Sequence, residues 1–178
     1  MVKHHGKDKK VKADRKYLAH YIDATFDVTY KAPEYVRLGK DLEELAIELN
    51  PDVETKKNIL GENTVTHNGY EVSADADPYY YEYDDALSQK ILDIALGRLS
   101  GDECKTSYVD VVLKPGESDD AAPTVLQAWR EDVVVVPNSY GGDTSGVQVP
   151  FTLNFAGNRT KGTFDLTTKK FTAASSGL

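Results

Sequence analysis

Two strand-like runs joined by a glycine-rich connection constrain this chain more than any other stretch. In WREDVVVVPNSYGGDTSGVQVPFTLNFAGNRTKG, residues 129–162, the β-branched run 133–136 is closed by Pro137. Val147, Val149, Phe151, Leu153 and Phe155 then alternate with Gln148, Pro150, Thr152 and Asn154. Side chains alternate between the faces of a strand, so the second run has an apolar face and a largely polar one. The stretch contains no catalytic device, and its chemistry points to pairing and packing surfaces.

The same period of two recurs elsewhere. Ile22, Ala24, Phe26, Val28 and Tyr30 alternate with Asp23, Thr25, Asp27 and Thr29, which predicts a strand with one wet face. From Leu45 the alternation continues through Glu48 and Asp52 to Lys56, after a helical turn over 41–44; Pro51 puts that strand at a sheet edge or bulge. Asn68 and Gly69, between Val65-Thr66-His67 and Tyr70-Glu71-Val72, give the strongest hairpin signal. One helix is expected over 85–99, with Leu87, Ile91, Ile94, Ala95 and Leu99 on one stripe. Asp84 or Asp85 would cap its start, Arg98 suits its carboxyl end and Gly101 would close it. Strands follow over 106–113 and 124–136, the latter with a bulge near 130–132, and a last hairpin pairs 163–166 with 170–172. The expected fold is mainly β, a sandwich or barrel with one flanking α-helix. The expected organisation is a basic arm over 1–18, one domain over 19–172 with a projecting loop at about 50–80, and a loose tail over 173–178.

Charge is unevenly spread. The net charge is -8, yet residues 1–16 carry seven basic side chains against Asp8 and Asp14, so the arm is +5 and the remainder -13. An acidic body argues against a nucleic-acid reader, which needs clustered Lys and Arg on its folded surface. A basic start without an apolar run predicts neither a signal peptide nor a membrane span, and cytoplasmic folding is expected. Cys104 is the single cysteine, so it has no disulfide partner within the chain.

Candidate chemistry reduces to ordinary structure. Asp143-Thr144-Ser145-Gly146 has the outline of an aspartic protease motif, but Ser145 intervenes and no second copy exists. The glycines over 141–146 lack the lysine and following helix of a phosphate loop. His4, His5, His20 and His67 have no metal-site spacing, and Asp75, Asp77, Asp84 and Asp85 lack the ligand pattern of a calcium loop. Cys104 reads as a packing residue, Asn158-Arg159-Thr160 as a turn, and Trp129 as a core anchor. No catalytic, metal or cofactor site is expected.

Three blocks carry a resemblance: YVRLGKDLEELAIELNPDVETKKNILGENTVTHNGYE, DPYYYEYDDALSQKILDIALGRLSGDECKT and WREDVVVVPNSYGGDTSGVQVPFTLNFAGNRTKGTF, within residues 35–164. In these segments the chain resembles the major tail tube proteins of long-tailed bacteriophages and related prophage particles of Gram-positive hosts. The resemblance implies the tail tube fold and a structural, non-enzymatic virion protein whose hexameric rings stack into a hollow tube. It further implies that the tube encloses the tape measure protein, meets tail terminator and baseplate or distal tail proteins, and passes DNA without gripping its sequence. Assembly in the host cytoplasm, residence in the virion tail and no membrane insertion follow from it. On this reading Asp23, Asp27, Glu48 and Asp52 are lumen or interface candidates, and Lys10, Lys12, Arg15, Glu54, Lys56 and Lys57 are ring-stacking candidates. Gly141, Gly142 and Asp143 form a candidate loop between subunits. The alternative is a monomeric β-sandwich module that binds carbohydrate or another surface through Tyr79, Tyr80, Tyr81 and Tyr83; a hydrolase using acidic pairs is a third reading.

Overall fold

The structure, a computed structural model, describes residues 12–175 apart from 41 and 119. After a 3-10 turn at Arg15–Tyr17 come β1 (Leu18–Asp23), β2 (Tyr35–Leu38), β3 (Pro51–Lys57), β4 (Asn63–Tyr70) and β5 (Ser73–Ala76). Helix α1 (Ala86–Gly97) and a 3-10 turn at Gly101–Cys104 lead into β6 (Lys105–Lys114) and β7 (Thr124–Pro137). The chain ends with β8 (Gly141–Asp143), β9 (Gly146–Gln148), β10 (Phe151–Phe155), β11 (Thr160–Asp165) and β12 (Lys170–Ala173).

The fold is mainly β with one helix, built on one curled antiparallel sheet in the order β12-β11-β7-β6-β1-β2. Strand β7 organises it. Along one side β7 pairs with β6, while its other side is shared between β11 near Arg130 and β10 from Val133 to Pro137. Strand β5 adds to β10. The sheet therefore forks at β7, and each branch covers one face of β1 and β6.

Both faces are consequently buried. Ile22, Tyr108, Val133, Val135, Phe151 and Leu153 pack with Leu87 and Ile91 of α1 in one core. Ala19, Tyr21, Val109, Val111 and Ala128 form a second core under Phe164 and Phe171 of the last hairpin. A strand buried on both faces shows no alternation. That is why β1, LAHYID, escapes a search for period two, whereas the alternating run expected over 22–30 is strand only as far as Asp23. Its second half consists of two short turns: Asp23 Oδ1 accepts from the Thr25 amide and hydroxyl, and Asp27 does the same for Thr29. Two Asp-x-Thr capping turns mimic a strand's polar-apolar rhythm.

Other boundaries move for equally local reasons. Asn68 and Gly69 are a bulge inside β4: Asp52 pairs with Gly69 and Val53 with His67, leaving Asn68 over, and Gly69 has φ 137°. The hairpin turn is instead at residues 58–62. The alternation from Leu45 becomes strand only at Pro51, and the turn expected over 41–44 is no helix among its described residues, 42–44. The bulge expected near 130–132 lies farther back, where Val112 pairs with Gln127 and Leu113 with Val125. Pro150 splits the expected run 147–155 into β9 and β10.

Helix α1 begins where Asp85 accepts from the Ser88 amide at 2.9 Å. Arg98, with φ 49° and ψ 43°, takes the left-handed closing position expected of Gly101. The Leu99 amide then bonds the Ile94 carbonyl, and Leu87, Ile91 and Ile94 face the sheet.

Candidate assembly surfaces

Strands β3 and β4 form a separate two-stranded sheet in which every residue is exposed except half-buried Gly69. Its root is well tied. Asn50, with φ 44°, donates through Nδ2 to the Glu71 carbonyl at 2.9 Å, and the backbones of Glu48 and Ser73 bond reciprocally. The pairs Val53–His67 and Thr55–Val65 share one face; Glu54–Thr66 and Lys56–Thr64 share the other, where Lys56 and Glu54 are 3.2 Å apart. An isolated two-stranded hairpin is marginal in water, and both of its outer edges carry unpaired amides and carbonyls.

The tip is nevertheless sharply built. Asn58 Oδ1 accepts from the amides of Leu60 and Glu62 at 2.9 and 3.0 Å, the Asn58 amide donates to the Glu62 carbonyl at 3.0 Å, and Gly61 sits at φ 83°. This small cage turns two aliphatic side chains outward: Ile59 is 103% and Leu60 78% exposed. The tip is thus an ordered pair of apolar side chains set out in water.

A second hairpin, β8–β9, carries Gly141 at φ 157°, Gly142 at φ 136° and exposed Asp143, which accepts from the Ser145 amide at 2.7 Å. A Cβ on Gly142 would run into the Gly146 carbonyl, so the tight turn excludes side chains there. Its base is fastened to the tyrosine segment by bonds from the Tyr81 amide to Val147 and from the Val149 amide to the Tyr79 carbonyl. The tyrosines do not form one platform. Tyr79 is buried edge-on against Phe151, where burial and then the Asp85 charge push its phenol far up, whereas Tyr83 is largely exposed.

The third feature is a polar network inside the sheet. His20, Asp110 and Glu131, on β1, β6 and β7, are all buried. Asp110 accepts from His20 Nδ1 at 2.8 Å and from Arg159 Nη2 at 2.7 Å; Arg159 Nη1 reaches Glu131 at 3.2 Å, and Glu131 also accepts from the Gly157 amide. Arg15 Nη2 lies 2.9 Å from His20 Nε2 and donates to the Leu45 carbonyl at 2.8 Å. Guanidinium only donates, so His20 Nε2 accepts there, while Nδ1 faces both Asp110 and, at 2.5 Å, the Tyr108 hydroxyl. Burial pushes the Asp110 carboxyl up, but the bonds from His20 and Arg159 outweigh it and hold the group below its usual range. Trp129 is half-buried, with the Arg159 guanidinium 5.4 Å and the Lys161 ammonium 5.8 Å from its ring. It covers the network and is no core anchor.

Sequence reasoning missed this network because its members sit in separate strands and a loop. The local trace is Asp110 within the apolar run 109–113; Glu131, between Arg130 and Asp132, gives no such signal. The candidates named from sequence scatter over the surface. Asp27, Glu48 and Asp52 are exposed, but Asp23 is fully buried as the cap of the 24–34 loop, which corrects its assignment to a wet face. Glu54, Lys56 and Lys57 lie on β3. Arg15 is pinned to the domain, Lys12 is exposed, and Lys10 lies outside the described residues.

No family model matches the chain, and no curated protein matches it. Among solved structures the chain is similar to the sheath/tube terminator of an extracellular contractile injection system, PVC, in its extended state. The identity is 10% and the TM-score 0.48, over 86% of this chain and 99% of that one.

Proposed function

We propose that the protein is a structural, non-enzymatic component of a phage tail, which polymerises as stacked hexameric rings into the tail tube. The observation that carries this reading is the β3–β4 hairpin: an ordered arm exposed along its length, with an apolar tip and two unpaired edges. The sequence resemblance supplies the kind of assembly. The main sheet supports it, because β2 and β12 end it as open edges that a neighbouring copy can continue. In the tube the chain would enclose the tape measure protein, meet terminator and baseplate or distal tail proteins at its ends, and let DNA pass. Assembly in the host cytoplasm and residence in the virion tail belong to the same reading.

Within it, Lys12, Arg15, Glu54, Lys56 and Lys57 serve ring stacking, and Gly141, Gly142 and Asp143 serve contacts between subunits. Asp27, Glu48 and Asp52 are wall candidates; their charge would repel phosphate and keep DNA from adhering. Replacing the three with Asn or Gln should leave tubes intact and slow genome ejection; unchanged ejection kinetics would remove them from the wall.

Light scattering and electron microscopy of the purified protein test the reading directly. Rings or tubes are expected, and a monomer at every concentration would overturn it.

A further inference from the structure

The hairpin tip has a matching recess elsewhere on the same chain. Between the end of α1 and the end of β7 lies an open groove of about 360 Å³, lined by Ile94, Leu99, Cys104, Val134 and Val136 with Arg98 at its rim. The groove is unfinished in two ways. Strand β6 begins opposite Val134, so from Val135 to Pro137 the β6 side of β7 has no partner strand among the described residues. Arg98 is exposed and forms no ion pair among the described residues.

The tip offers what the open groove lacks: apolar side chains to fill it and an opposite charge. Its apolar knob, Ile59 and Leu60, is held outward by the Asn58 cage before any partner arrives, so little freedom remains to be lost on docking. Glu62, whose carboxylate accepts from Asn58 Nδ2 at 2.6 Å, flanks the knob, and Arg98 rims the groove. Full exposure of the knob shows that it does not occupy its own groove.

We propose that the Ile59 and Leu60 tip of one copy seats in the α1–β7 groove of a second copy, with Glu62 against Arg98. The two halves of the contact are different surfaces of one chain, so a docked pair still offers one free knob and one free groove. Such a head-to-tail contact propagates, whereas a two-fold contact would stop at a dimer. The inference rests on the tube reading and names the partner surface of its arm.

The test measures the critical concentration for assembly, by pelleting and microscopy, with each variant's melting curve as the check on folding. Leu60→Asp and Val136→Glu should each raise it tenfold or more with the monomer's melting unchanged. Glu62→Arg and Arg98→Glu should each raise it several-fold, and the double exchange should return it to within twofold of the unaltered chain. Normal assembly of either apolar variant, or a double exchange no better than the single ones, overturns the contact while leaving the tube reading in place. An unaltered chain that never assembles overturns both.

Discussion

Asp23 and Asp27 share one local grammar and differ in burial, which separates their energetic roles. Each accepts from the amide and hydroxyl of the threonine two residues on, but Asp23 Oδ1 also accepts from the Glu34 amide at 2.9 Å inside the fold. Its second oxygen is buried without a partner among the described residues. Removing the side chain leaves two part-buried amides without their acceptor, at up to roughly 1–3 kcal/mol each. Asp23→Ala should therefore cost about 2–4 kcal/mol in urea unfolding and Asp27→Ala less than about 1 kcal/mol, because water replaces the carboxylate there. Equal losses would show that burial does not decide the matter. Asp110 gives a pH signature. Its folded-state pKa lies below the unfolded one, so its contribution is present above the ordinary carboxylate range, near pH 4, and fades as pH falls through the folded value. Asp110→Asn should lower stability by about 3 kcal/mol at neutral pH, as expected for breaking a buried ion pair, and the gap should close in acid. A gap independent of pH would mean that packing, not charge, makes the difference.

At the scale of elements, the last hairpin and the β3–β4 arm make opposite predictions. Gly162 in β11 is buried, and a Cβ there would meet the Thr172 carbonyl and the Phe171 ring. Gly162→Ala should thus loosen β11–β12 over the second core and cost about 1–3 kcal/mol by overpacking, read as a lower melting temperature. Replacing residues 52–68 with a short Gly-Ser turn removes exposed residues only. It should change monomer stability by less than about 1 kcal/mol while abolishing tubes. Loss of folding would instead make the arm part of the core. Elements were readable where one physical signal dominates: the α1 stripe with its Asp85 cap, β6, and the valine run of β7. They were misread where two causes give one pattern, as in the capping turns after Asp23 and the bulge at Asn68 and Gly69. The ionic network is a further case, since Arg159 meets Asp110 and Glu131 only after 49 and 28 residues of chain are folded together.

For the whole molecule, the fork at β7 explains how a chain of 178 residues buries two cores with a single sheet and still leaves its edges open. The mainly β architecture was legible because alternation and turn residues recur along the chain. The surfaces that matter for assembly were less so: neither the groove beside Arg98 nor the orientation of the tip follows from periodicity, because both depend on distant elements meeting. Geometry at the arm's root has a mechanical consequence. The seven residues of β3 span roughly 24 Å, so the arm is a lever whose fulcrum is Asn50 and Gly69. A rotation of about 10° at that fulcrum would swing the far end by about 4 Å over such a length. In the proposed tube, two left-handed backbone residues would thereby set the axial repeat, a long-range dimension held by a pair of torsion angles.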